Sequence, residues 1–127
     1  MIAVVYDSMT GQGKRFAEKL GYPTFDIQHY IPRPLDHVFL ISRTFGFGEI
    51  PVPTVQFIEK YRSFIIGCAV SGNRNWGKNY GMAGKKIEQL YQIPLIQIFE
   101  MIGLPAEVNH VKLWLQDYEQ KHTTQQR

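Results

Sequence analysis

The sequence predicts an α/β protein built on a doubly wound, five-stranded parallel sheet in the order 2-1-3-4-5, with helices on both faces. Three observations predict it. Five short apolar runs recur along the chain, most of them continuous rather than alternating, as strands covered on both faces require. Stretches of helical period stand between the runs. With 127 residues the chain can bury one core but is short for two, so residues 1–120 are expected to form a single domain and residues 121–127 (KHTTQQR) a polar, frayed tail.

Each element follows from local pattern. The run 2–6 (IAVVY) leads into a helix over 14–20 with Phe16, Ala17 and Leu20 on one face. The run 24–27 (TFDI) is followed by QHYIPRPLD, where Pro32 and Pro34 oppose a helix, so this crossover is expected to be extended. The run 37–41 (HVFLI) precedes a helix over 54–61 carrying Val55, Phe57, Ile58 and Tyr61. After the run 64–70 (FIIGCAV), the segment 77–91 places Ala83, Ile87, Leu90 and Tyr91 on one helical stripe. The run 95–99 (LIQIF) precedes a last helix that starts at Pro105 and turns Val108, Val111, Leu115 and Tyr118 inward.

Composition narrows the function classes. Residues that are 44% hydrophobic and 20% charged suit a soluble globular protein, and no apolar run approaches a membrane span. MIAVVYD lacks the basic and apolar regions of a signal peptide, so a cytoplasmic location without a membrane partner is expected. The single cysteine, Cys68, excludes an internal disulfide and reads as a core thiol. His29, His37, His110 and His122 are scattered without ligand spacing, so no metal site is expected. The net charge of +3 slightly favours an anionic partner.

In such a sheet ligands bind beyond the carboxyl ends of the strands, and three loops leave that edge. The first is DSMTGQGKRF, residues 7–16. Ser8 and Thr10 offer hydroxyls, Gly11 and Gly13 let backbone approach a ligand, and the helix that follows turns free N–H groups toward the loop. These groups suit a phosphate. Ser8 and Arg15 break the pattern of a nucleotide-hydrolase P-loop, and Phe16 fills the third glycine place of a dinucleotide fingerprint. The second loop, 43–53 (RTFGFGEIPVP), sets Phe45 and Phe47 among glycines beside Thr44 and suits a flat aromatic ligand, although alone it also reads as a tight turn with both rings packed inward. The third, 71–81 (SGNRNWGKNYG), combines the amides of Asn73, Asn75 and Asn79 with Trp76, Tyr80, Arg74 and Lys78. Together the loops call for one phosphate and one planar ring with a polar edge.

Ser8, Thr10 and Gly11 resemble the phosphate loop of the flavodoxin family, and the closer resemblance is to the NrdI family. TFGFGEIPVPTVQFIEK at 44–60 and SGNRNWGKNYG at 71–81 are similar to that family's two ring-binding loops, and GNRNWG is the most specific motif. The resemblance implies a flavodoxin-like fold with FMN as cofactor. It places the phosphate on Ser8, Met9, Thr10, Gly11, Gln12, Gly13 and Lys14. The isoalloxazine falls between Thr44, Phe45, Gly46, Phe47 and Gly48 on one side and Ser71, Gly72, Asn73, Asn75, Trp76 and Gly77 on the other, with Tyr80 nearby. It also implies a partner, the dimanganese small subunit of class Ib ribonucleotide reductase. There the reduced flavin and molecular oxygen supply an oxidant from which a tyrosyl radical is generated, and a separate reductant of unstated identity recharges the flavin. No side chain is assigned a catalytic role, because the flavin carries the chemistry, so the chain reads as an accessory redox protein more than a turnover enzyme.

Gly46, Gly48 and Gly72 are the glycines whose peptides could reorient beside the ring, and Arg43, Arg74 and Lys78 are expected to favour the reduced, anionic flavin from its rim. Gly13 departs from the family pattern, which has a hydroxyl-bearing or β-branched residue there, so one phosphate contact is expected to be missing. Asp7 and Glu49 read as turn or capping carboxylates, and Glu100 lies near the same edge. Two alternatives stand beside this reading. One is a general electron-transfer flavodoxin. The other, weaker, is a non-redox module that binds single-stranded nucleic acid through RNWGKNY.

Overall fold

A computed structural model describes residues 1–125. Its elements are β1 (Ile2–Tyr6), α1 (Gln12–Glu18), β2 (Thr24–Asp26), β3 (His37–Arg43), α2 (Val52–Tyr61), β4 (Ile65–Ser71), α3 (Met82–Tyr91), β5 (Leu95–Phe99) and α4 (Pro105–Gln125). The five strands form one sheet in the order β2-β1-β3-β4-β5, every pair parallel, as the sequence predicts.

Alternation along each strand sorts the core into two layers, because successive side chains leave a strand on opposite faces. Ala3, Val5, Val38, Leu40, Cys68 and Val70 pack beneath Phe57 and Ile58 of α2 and Ala83 and Ile87 of α3. Ile2, Val4, Phe39, Ile41 and Ala69 pack beneath Phe16 and Ala17 of α1, Leu20 in the turn just beyond its end, and Val111 and Leu115 of α4. Cys68 is fully buried, which pushes its thiol up to about 12.

The β2–β3 crossover carries no helix. Instead Tyr30 turns back against Phe25, with ring centroids 4.5 Å apart, and donates its hydroxyl to the buried Asp36 carboxylate, which also accepts the Arg33 N–H at 2.9 Å. Where a crossover helix would lie, a shallow groove remains between Tyr30 and α2, lined by Ile27, Ile31, Phe57 and Tyr61.

Several local expectations differ. α1 starts at Gln12, two residues early, because Gly11 takes a left-handed φ of 87° and Ser8 Oγ accepts its N–H at 3.0 Å, so the chain turns into helix at once. α3 starts only at Met82, since 74–79 forms a 3-10 turn interrupted at Gly77. Leu90 leaves the expected stripe and is exposed, while Ala83 and Ile87 keep their places. α4 begins at Pro105, and Trp114 joins Val108 and Tyr118 against the sheet. The helix continues to Gln125, into the segment expected to fray; residues 126 and 127 of that tail lie outside the described residues. Two of the scattered histidines meet, His37 and His122 flanking Tyr118, whose hydroxyl lies 3.0 Å from His37 Nδ1. Among the described residues no three metal-ligating side chains cluster.

Candidate functional site

The parallel sheet sends the loops after β1, β3 and β4 out of one edge, and they meet there. Two adjoining cavities result. The smaller, about 180 Å³, is bordered by Ser8, Met9, Thr10 and Gly13 of the first loop, together with Asp7 and Arg43. The larger, about 510 Å³, runs between Thr44 and the segment Ser71, Gly72, Asn73, Asn75 and Trp76, closed by Glu100 and Met101. Thr10, Gln12 and Ser71 border both, so the two are continuous. Ligand cavities usually measure about 300–1,000 Å³. The groove beside Tyr30 is similar in size, yet of the three loops only Pro53, at the end of the second, borders it, and no serine, threonine or glycine lines it.

Each loop is held by its own bonds. Ser8 Oγ spends its acceptor on the Gly11 N–H, which leaves its proton available as a donor toward the smaller cavity. The second loop closes as a tight turn. Phe45 and Glu49 exchange backbone bonds at 2.8 and 2.7 Å, with Gly46 and Gly48 at positive φ. Phe45 and Phe47 point outward and are 53% and 87% exposed, so they do not pack inward. In the third loop Asn73 Oδ1 accepts the Asn75 N–H at 2.8 Å, and the Trp76 N–H bonds to the Asn73 carbonyl at 3.0 Å. Gly72 joins its N–H to the Phe99 carbonyl at 2.9 Å and lies against Gly81 so closely that a Cβ would stand 2.9 Å from the Gly81 nitrogen.

Thr44 carries a polar atom without a partner. Its side chain is buried and borders the larger cavity, and its Oγ1 has no hydrogen-bond partner among the described residues. Buried hydroxyls are normally satisfied, and among the described residues only this one and the Tyr80 hydroxyl are left without a bond.

Other expected site residues stand elsewhere. Lys14 is exposed on α1 and borders neither cavity. Gly11 shapes the first turn, and Phe45, Gly46, Phe47 and Gly48 form the turn beyond Thr44. Gly77 lies at the exposed bend of the third loop. Tyr80 does not border the larger cavity. Its ring backs Gly72, the Arg74 guanidinium lies 5.6 Å over it, and burial raises its hydroxyl above the ordinary tyrosine value. Gly13 is buried in the first turn of α1 with room for a Cβ, whose nearest neighbours, Ile41 and Ser8, would be 3.6 Å away.

The cationic rim is altered by pairing. Arg74 is held by Glu100 at 3.6 Å and Glu107 at 3.3 Å, and its backbone N–H bonds Glu100 at 2.8 Å. Arg43 faces Asp7 at 3.4 Å. Of the three cations expected around a ring, Lys78 alone pairs with no carboxylate among the described residues. Asp7 is neither a turn nor a capping group. Its Oδ2 accepts the Thr54 hydroxyl at 2.8 Å, and Thr54 in turn meets Ser42 Oγ at 2.8 Å. Thr54, Ser42 and Met101 were not legible as site residues. The one sequence signal for the first two was a hydroxyl within an otherwise apolar strand end or helix start.

The family described as NrdI Flavodoxin like matches residues 4–113. A curated relative, Protein NrdI of Macrococcus caseolyticus, is 37% identical over 123 residues, covering 94% of this chain and 93% of its own. Among solved structures, oxidised Flavodoxin 1 of Bacillus cereus superposes with a TM-score of 0.67 at 15% identity, covering 89% of this chain and 92% of its own. A Fusobacterium nucleatum flavodoxin bound to flavin mononucleotide gives 0.59 at 12% identity, covering 94% and 97%. These two share the fold. With a family match across most of its length and a relative 37% identical over 94% of it, the chain belongs to the NrdI flavodoxin-like family.

Proposed function

We propose that this chain binds FMN and, once reduced, supplies an oxidant to the dimanganese small subunit of a class Ib ribonucleotide reductase, where the tyrosyl radical cofactor is assembled. The observation that carries the reading is the continuity of the two cavities: a hydroxyl- and amide-lined pocket sized for a phosphate opens into a longer one bordered by Thr44, Gly72 and Trp76. The same fold holds FMN in the Fusobacterium flavodoxin.

Bound FMN supplies the redox chemistry, passing electrons to molecular oxygen. The chain's residues do the rest. Ser8, Thr10 and the backbone amides of Gln12 and Gly13 hold the phosphate, while Met9 borders it. Thr44 offers its unpartnered hydroxyl to the polar edge of the ring. Gly72 admits backbone to that edge, Asn73 and Asn75 shape the loop beside it, and Trp76 covers the open side. Arg74 is neutralised by Glu100 and Glu107, so the rim owes its positive character mainly to Lys78. That pairing also weakens the nucleic-acid reading, since one of the two cations in RNWGKNY is already engaged.

The test is an absorption spectrum of the purified protein before and after adding FMN, followed by reaction of the reduced protein with oxygen in the presence of the manganese-loaded small subunit. A yellow, stoichiometric complex and radical formation in the subunit are expected. Failure to take up FMN would sink the proposal. FMN uptake without radical formation, beside efficient reduction of other acceptors, would point to a general electron carrier.

Thr44→Val provides a sharper check. It keeps the side-chain shape and removes the unpartnered hydroxyl, so the flavin-free protein should gain about 1 kcal/mol of stability while FMN binding weakens by roughly fivefold. Thermal unfolding of the flavin-free protein and fluorescence titration measure the two effects. Changes of the same sign in both would count against a ligand role for the hydroxyl.

A further inference from the structure

The smaller cavity has a carboxylate in its wall. Asp7 follows β1 as the chain enters the first loop and is only 6% exposed, and it borders the cavity beside Ser8, Thr10 and Gly13. A carboxylate has no proton to give, so the Thr54 hydroxyl donates to Asp7 Oδ2 at 2.8 Å, and the proton in the 2.8 Å contact between Ser42 and Thr54 comes from Ser42. Thr54 and Ser42 are both fully buried, so this chain of hydroxyls is shielded and ends on Asp7. The other oxygen, Oδ1, faces Arg43 Nε at 3.4 Å.

A phosphate seated against that wall would meet Asp7 as a like charge and Arg43 as its opposite, within one partly buried pocket where charges are weakly screened. Lys14 is exposed and borders neither cavity, so Arg43 is the cation of that wall. We infer that Asp7 and Arg43 form a specificity-determining pair that sets how strongly this site selects a phosphomonoester: Asp7 holds the guanidinium and offsets its charge, which restrains phosphate affinity, and Arg43 offsets Asp7, which permits it. The inference rests on the FMN reading. The hydroxyl chain from Ser42 and Thr54 fixes the carboxylate, so the pair occupies one geometry instead of rearranging when phosphate enters.

The pair is tested with flavins that differ only in the phosphate. The flavin-free protein is titrated with FMN and with riboflavin, and the ratio of the two dissociation constants is the readout, because a merely structural role would move both constants together. Asp7→Asn retains an acceptor for Thr54 and releases Arg43, so FMN should bind about tenfold tighter with riboflavin unchanged. Arg43→Gln leaves Asp7 uncompensated, so FMN should bind about tenfold more weakly, again with riboflavin unchanged. The double variant should return the ratio close to that of the wild type, as two opposite charge effects on one phosphate cancel. Should Asp7→Asn misfold, Arg43→Gln, on a partly exposed side chain, still decides the matter. Normal FMN binding with an unmoved ratio in the variants would overturn the pair alone. Wild-type protein that binds neither flavin would overturn the FMN reading, and the pair with it.

Discussion

Gly72→Ala is expected to weaken FMN binding by about 5- to 150-fold, the range that corresponds to an overpacking cost of about 1–3 kcal/mol. The added Cβ would stand 2.9 Å from the Gly81 nitrogen and 3.2 Å from the Tyr80 ring. The ring could shift, but the Gly81 backbone cannot yield without moving the loop. Relief therefore displaces residues 71–81, which carry Asn73, Asn75 and Trp76 along the larger cavity. The β1–β3 and β1–β2 pairings lie elsewhere, so circular dichroism of the flavin-free variant should stay that of a folded α/β protein. Fluorescence titration with FMN measures the effect, and an unchanged dissociation constant would show that the close approach of Gly72 and Gly81 does not shape the site.

Phe16→Ala should lower unfolding stability by about 3–5 kcal/mol, a large share of the roughly 5–15 kcal/mol typical of a domain. Phe16 is fully buried and stacks on Phe99 with centroids 3.9 Å apart. On another side Gly103 approaches so closely that a Cβ there would lie 2.5 Å from the Phe16 ring. The hole left by the ring is thus bounded by the end of β5 and by the turn into α4, neither of which can collapse without breaking sheet pairing or the helix start. Denaturant unfolding should show a lower midpoint at an unchanged slope. A loss below about 1 kcal/mol would mean that the site repacks freely.

Most of the fold was legible because its signals are local. The runs IAVVY and LIQIF became strands with the expected bounds, since apolar residues covered on both faces leave a continuous pattern. Pro32 and Pro34 identified the crossover without a helix, which the structure builds from turns at 27–29 and 34–35, because proline removes a donor and restrains its neighbour wherever it stands. Local pattern was weakest at helix starts. α3 was placed too early because its apolar stripe begins only at Ala83, while Gly77, at φ 55° and ψ −121°, is not helical. Leu90 fitted the helical stripe, yet the sheet covers only the part of α3 that carries Ala83 and Ile87.

The candidate site divides in the same way. The sequence by itself determined which loops would meet, because parallel strands joined by crossovers send the loops after β1, β3 and β4 to one edge, and it determined the residue types available there. Only the tertiary structure decided which of those residues face the cavities and what charge they keep. Arg43 meets Asp7 across 36 residues, and Arg74 meets Glu100 and Glu107 across 26 and 33. The Tyr80 ring backs Gly72, and the Thr44 hydroxyl beside the larger cavity has no partner among the described residues. Charge neutralisation, ring orientation and hydrogen-bond satisfaction depend on distances of a few ångströms between residues far apart in the chain, and those distances exist only after the two layers have packed on the sheet.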